Sequence, residues 1–313
     1  MKRTVAMTIY DRTPETIGAV FAGLSLPGNR PDVICVCYDR APDESVKALR
    51  TCALDLKVEL QEEFLTDGFK GPRCPSRSWN AALALTSGSH VFCMSSDVVL
   101  APHSVGMAYH LAEVAPKHMI VGRMEHCGQS YAWSGPDPRN EMKCRTITWS
   151  GAPSGLGFAW LLPMENYRNI GGFDEAYMDG YCYEDDDFVL RMWDDGADFL
   201  FCDDIMGFHL EHKRDHLKDQ DGKVSINADI FKERHGDLNR LKHYKFEHAF
   251  LRFDVGMSAM LHEEDAELIQ QCFIRQKFYG QEESWRAIPV VVLSETKTGT
   301  QEYDATGIPG DIK

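Results

Sequence analysis

The sequence predicts an α/β fold, a mainly parallel sheet with helices on both faces. Two observations carry this expectation. Apolar strand-like runs alternate with helix-like segments across residues 1–100. The runs Val5–Tyr10 and Val33–Tyr38 are apolar enough to be buried strands of such a sheet.

Taken in order, Val5–Tyr10 is the first strand. Thr13-Pro14-Glu15 then opens a helix, with Thr as N-cap and Pro at the first helical position. Ile17, Val20, Phe21 and Leu24 keep helical spacing. Val33–Tyr38 is the second strand and ends at Asp39. Pro42-Asp43 begins a second helix, with Val46, Leu49 and Ala53 on one face. Val58–Leu60 is a third strand, Ser76–Leu85 a helix, and His90–Ser95 a fourth strand that ends at Asp97. A helix around Val105–Ala112 and a short strand His118–Val121 come next. Residues 124–155 show no periodicity and hold Trp133, Trp149 and several Gly and Pro. A long irregular segment inside a domain points to function, and aromatic faces suit sugar C–H surfaces, with a buried core as the plainer role. Leu156–Leu162 is a strand and Met164–Ile170 a short helix. Residues 213–240 are charged and fit a loop over a ligand site, with Lys213-Arg214 to Lys218 as a local basic run. An amphipathic helix over about Glu264–Phe278 and a strand Pro289–Leu293 make a C-terminal extension that is chiefly helical.

The net charge of −15 argues against affinity built on phosphate neutralisation along nucleic acid. No stretch approaches the roughly 18 apolar residues of a membrane span, and the N-terminal apolar run is too short for a signal peptide. The ten cysteines are scattered without a C-x-x-C pair, so core thiols in a reducing, cytoplasmic compartment are expected. The first strand is followed by Tyr10-Asp11-Arg12-Thr13-Pro14 and not by G-x-G-x-x-G, which removes a dinucleotide-binding dehydrogenase.

One stretch concentrates chemistry. Gly171-Gly172-Phe173-Asp174-Glu175 precedes Glu184-Asp185-Asp186-Asp187, and Gly207-Phe208-His209-Leu210-Glu211-His212 lies downstream. Phe188, Met192 and Trp193 keep helical spacing, so the acidic cluster begins a helix, where the dipole favours negative charge. A solvated helix cap is the plain reading of four such carboxylates. A glycine turn, clustered carboxylates and two histidines so close together suggest a site. His209 and His212 both face one ion if their segment is a turn or helix, and only one does if it is a strand. Polar residues also recur at strand ends, where parallel sheets bind ligands: Tyr10, Arg12, Asp39 and Asp97.

The run Gly155–His212 resembles the acceptor half of GT-A glycosyltransferases of the galactosyltransferase and N-acetylgalactosaminyltransferase type. The resemblance implies that Asp185 is the catalytic base, that Glu184 binds acceptor, and that His209 or His212 is a metal ligand. Residues 1–100 resemble the nucleotide-binding half of family 2 enzymes of that Rossmann-like fold. There Tyr10, Arg12 and Asp39 hold the nucleoside, Arg77 and Asn80 lie on the donor side, and Asp97 is the surviving carboxylate of a D-x-D that reads Ser95-Ser96-Asp97 here. The two resemblances together imply a GT-A-like domain over residues 1–240, with a nucleotide-binding half at 1–100 and an acceptor and metal half at 101–240, and an extension at 241–313. The implied reaction moves a hexose from a nucleotide sugar, UDP-linked by resemblance, to a carbohydrate or other hydroxyl acceptor with inversion. Asp97, His209 and His212 would hold Mn²⁺ or Mg²⁺, and imidazole leans the choice to Mn²⁺. Tyr181-Cys182-Tyr183 departs from the Gly-containing lead-in of the galactosyl enzymes. With no anchor in view, a bacterial, viral or excised soluble form is expected. The alternatives are a viral enzyme glycosylating a modified DNA base and an inactive nucleotide-sugar-binding module.

Overall fold

The computed structural model describes residues 1–66, 74–127, 144–146, 148–149, 152–153, 157–210, 220–236, 246–252, 271–277 and 284–288. Strands β1 (Thr4–Ile9), β2 (Val33–Asp39), β3 (Glu59–Leu65) and β4 (His90–Met94) are parallel, in the order β3-β2-β1-β4. Helices α1 (Pro14–Ser25), α2 (Asp43–Leu56) and α3 (Ser76–Ala84) connect them. Thr13 caps α1, its hydroxyl accepting from the Thr16 amide.

The second half extends the same sheet. After β5 (Val98–Leu100) and α4 (Ser104–Val114) come β6 (His118–Cys127) and the short strands β7 (Cys144–Thr146), β8 (Thr148–Trp149) and β9 (Ala152–Pro153). Next in the chain are β10 (Ala159–Pro163), α5 (Met164–Asn169), α6 (Glu184–Asp194), β11 (Asp198–Leu210) and α7 (Gln220–His235). β10 lies between β4 and β6 and runs against both. β11 runs parallel to β6, and β5 folds back to pair with β11.

Alternation along the strands builds two cores. Val5, Met7 and Ile9 pack with α1, α2 and α4 on one face, while Ala6 joins α3, α6 and α7 on the other. The same switch separates Phe92 from Val91 and Cys93, and Leu161 from Trp160 and Leu162. Helices therefore cover both faces, as a buried parallel sheet requires. Cys35 and Cys37 are buried in this sheet and form no disulfide. Among the described residues no helix is long and apolar enough to cross a membrane.

The structure departs from the sequence expectation most in three places. Residues 220–235 are helix rather than loop: Asn227 and Phe231, one turn apart, are fully buried and anchor it. Within the expected helix Glu264–Phe278, Gln271–Lys277 is strand β13, paired antiparallel with β12 (Phe246–Arg252) and β14 (Ser284–Ile288). Cys272-Phe273-Ile274 is too short an apolar run to tell strand from helix by period, and pairing on both sides decides it. These strands continue the main sheet beyond β11, so the sheet crosses residue 240. Third, β6 runs well past Val121. The expected strand Pro289–Leu293 lies outside the described residues.

Candidate active site

Parallel pairing of β1 with β4 sets the loops after their carboxyl ends side by side. One loop carries Arg12 and the other Asp97. Arg12 Nη2 lies 2.5 Å from Asp97 Oδ2. Ser95 Oγ donates to Asp97 Oδ1 at 2.6 Å, and the Leu210 amide donates to the Asp97 carbonyl at 2.8 Å. Pairing of β5 with β11 sets Val98 opposite His209 and brings His209 Nε2 to 3.6 Å from Asp97 Oδ2. Asp97 is 1% exposed. Burial is the largest single effect and raises its pKa, but the Arg12 charge, His209 and Ser95 together outweigh it, and the carboxyl is held well below the usual range.

A second cluster sits at the ends of β1 and β2. The Arg40 guanidinium lies 4.9 Å from the Tyr10 ring centroid, and its Nε donates to Asp39 Oδ1 at 3.0 Å. Tyr10 and Asp39 are thus joined through Arg40, a residue that no sequence motif singles out. Its position beside Asp39 is the one signal the sequence offers. Asn80 and Arg77 face the glycine turn. The Asn80 amide donates to the Phe173 carbonyl at 2.8 Å and accepts from the Phe173 amide at 2.8 Å and from Tyr167 Oη at 3.1 Å. Both ends of that side chain bind the glycine turn. Arg77 Nε faces Glu175 of the same turn at 4.0 Å.

Gly171 and Gly172 both have positive φ, and a Cβ on Gly172 would meet Asn80 Oδ1 at 2.6 Å, so only glycine fits there. The turn delivers Phe173 onto Phe188 of α6, with ring centroids 4.0 Å apart and planes 9° from parallel. This stack fixes the start of α6. Cys182 and Tyr183, just before it, have φ of 63° and 68°, a left-handed pair without glycine. Strain of this kind persists where surrounding contacts over-determine it, as at functional sites.

The acidic cluster divides at this point. Glu184 and Asp185 are half-buried. Cys74 Sγ donates to Glu184 Oε2 at 3.3 Å. Burial, with the Asp185 charge second, pushes the Glu184 carboxyl up to about 8. Burial raises Asp185 as well, against hydrogen bonds from backbone amides, including that of Asp186 at 2.9 Å. Asp187 is fully buried and faces the other way. Its carboxylate meets Arg191 Nε at 2.7 Å, His235 Nε2 at 2.9 Å and Tyr177 Oη at 3.3 Å. Asp187 is therefore a structural anchor, and not a carboxylate of the solvated helix cap.

One turn connects the two ends. The Phe158 carbonyl accepts from the Ser95 amide at 2.8 Å, and the Phe158 ring meets the His209 imidazole edge-on at 5.0 Å. A Cβ placed on the preceding Gly157 would come within 3.7 Å of Asp185 Oδ2. Gly157–Phe158 thus adjoins both His209, the neighbour of Asp97, and Asp185. His212, the Trp133–Pro138 stretch and Lys213–Lys218 lie outside the described residues.

The described residues hold two of the three expected ligands of a divalent ion, Asp97 and His209, with Nε2 of His209 3.6 Å from Asp97 Oδ2. No group of three or more His, Cys, Asp or Glu among them converges to hold one. The Asp97 oxygen that faces His209 already holds the Arg12 cation. An ion there would stand within contact of a like charge.

Residues 150–214 match the family described as the N-terminal domain of galactosyltransferase. Comparison with curated proteins gives no match. Among solved structures, the chain is similar to S. aureus TarS 1–349 at 13% identity and a TM-score of 0.44, covering 76% of this chain and 73% of that one. Its complex with UDP-GlcNAc aligns at 15% identity and a TM-score of 0.49, over 70% of this chain and 61% of that one. The mannosyltransferase PcManGT from Pyrobaculum calidifontis, in complex with GDP-Man and Mn²⁺, aligns at 15% identity and a TM-score of 0.45, over 69% and 58%. The galactosyltransferase match falls on the strand, turn and helix that carry Glu184 and Asp185, and it supports a GT-A type glycosyltransferase.

Proposed function

We propose that the chain transfers a hexose from a nucleotide sugar, UDP-linked in the first instance, to an acceptor hydroxyl with inversion. The observation that carries this reading is the Gly157–Phe158 turn, which adjoins both Asp185 and the His209 partner of Asp97. In this reading the nucleoside binds at Tyr10, Asp39 and Arg40, and the diphosphate nearer Arg12. Asp185 takes the proton of the acceptor hydroxyl as its oxygen attacks the anomeric carbon. The bond from that carbon to the diphosphate breaks, and its electron pair leaves with the nucleoside diphosphate. A base opposite the leaving group supports single displacement and inversion. Glu184, with its carboxyl pushed up to about 8, is largely protonated at neutral pH and donates a hydrogen bond to the acceptor.

A thermal-shift screen of UDP- and GDP-linked hexoses tests the reading. A donor that binds the folded state raises the melting temperature with its concentration. No shift with any nucleotide sugar, at concentrations reaching the millimolar range typical of weak donors, contradicts it.

A further inference from the structure

The geometry points to Arg12 as the cation that binds the donor diphosphate, in the place where the D-x-D resemblance implies a divalent ion. This rests on the nucleotide-sugar reading above and departs from it in naming the charge. Three observations carry it. First, Ser95 stands where the first carboxylate of the motif belongs, and its hydroxyl serves Asp97. Second, Asp97 is engaged on both oxygens, by Ser95 on Oδ1 and by Arg12 on Oδ2. The carboxylate that would share an ion instead positions a guanidinium. Third, the Arg12 side chain is 16% exposed and has donors to spare. Nη2 is on Asp97, Nη1 reaches the Asp11 carbonyl at 3.4 Å, and Nε is buried without a hydrogen-bond partner. A guanidinium offers five N–H donors in a planar fork, and that fork matches phosphate oxygens. Arg12 also sits beyond the carboxyl end of β1, where such sheets bind ligands.

In this role Arg12 touches the diphosphate directly, and Asp97 is a positioning residue that acts through Arg12. Charge on the departing diphosphate is met by a fixed side chain that needs no loading step.

The experiment is calorimetric titration of the full chain with UDP and with uridine, and with GDP and guanosine as a second pair, in EDTA and in Mn²⁺. The expected result is that the diphosphate binds in EDTA with an affinity within about 3-fold of that in Mn²⁺, a gap small beside one charged contact. Arg12→Ala should weaken the diphosphate roughly 10-fold or more while the nucleoside changes little, because only a charge-assisted contact is lost. Retained nucleoside binding shows that the variant is folded. Arg12→Lys should recover part of the loss, since it keeps the charge without the fork. Diphosphate binding that requires Mn²⁺ and is abolished by EDTA overturns the inference and leaves the donor reading intact. So does an Arg12→Ala variant that loses nucleoside and diphosphate equally. Failure of every nucleotide in both buffers overturns the donor reading and the inference together.

Discussion

His235 Nε2 lies 2.9 Å from Asp187 Oδ1, and this contact ties the end of α7 to the first turn of α6 across 48 residues. The pair belongs to a larger clamp. Arg191 holds the other Asp187 oxygen at 2.7 Å, and Arg234 binds Asp174 of the glycine turn. Asn227, fully buried, donates to the carbonyls of Tyr177 at 3.1 Å and Cys182 at 2.8 Å. Helix α7 thus holds the backbone that carries Glu184 and Asp185.

Removing Asp187 should unfold this corner. Asp187→Ala takes the carboxylate from partly exposed Arg191, which keeps the Ile170 and Gly172 carbonyls, and leaves His235 and Tyr177 without this partner, so a cost of roughly 1–3 kcal/mol is expected. Chemical denaturation measures it. A loss under about 1 kcal/mol, the range of an exposed pair, would place Asp187 outside the clamp.

The strained lead-in gives a prediction of opposite sign. Cys182 is exposed and holds a φ of 63°. Cys182→Gly relieves a left-handed conformation worth roughly 1–2 kcal/mol and gives part of that back as unfolded-chain entropy. A net gain of about 0.5–1 kcal/mol is expected in the same denaturation assay. A clear loss of stability would mean that the strain is absent.

Much of this fold is legible in the sequence, for reasons of pattern. Strands buried on both faces read as apolar runs, so β1, β2 and β4 can be seen, and the Thr13-Pro14 cap announces α1. Helix α7 cannot be seen in this way. Ile226 is 45% exposed, and the helix docks through Phe231 and the polar Asn227, Arg234 and His235 rather than through a continuous apolar stripe. At the site, Asp97 and Asp185 are visible from their motifs. The Arg12–Asp97 contact is not, because it depends on β1 and β4 being neighbours, which no local pattern states. Cys74 reaches Glu184 across 110 residues, a pairing that only the fold creates. Asp187 carries a readable signal, Arg191 one helical turn on, that points to a paired rather than a free carboxylate.

Stability should fall as pH rises across this corner. The Glu184 carboxyl is raised from 4.5 to about 8 on folding, so the folded state holds a proton that the unfolded chain has released. The contribution is fully present below pH 4.5 and is lost as pH climbs toward 8, with Asp185 adding in the same direction. Glu184→Gln removes the proton exchange and should flatten the stability profile in that window. An unchanged slope in the variant would mean that Glu184 titrates as an exposed carboxylate.

The most direct test is nucleoside diphosphate release during transfer, compared between the wild type and Asp185→Asn with the donor found by thermal shift. The substitution keeps the shape of the side chain and removes the base. Turnover should drop by roughly 10²–10⁴-fold while donor affinity stays nearly constant, because the proposed role of Asp185 is to take the acceptor's proton and not to hold the donor. Near-full turnover in Asp185→Asn, with the donor still bound, would contradict the account.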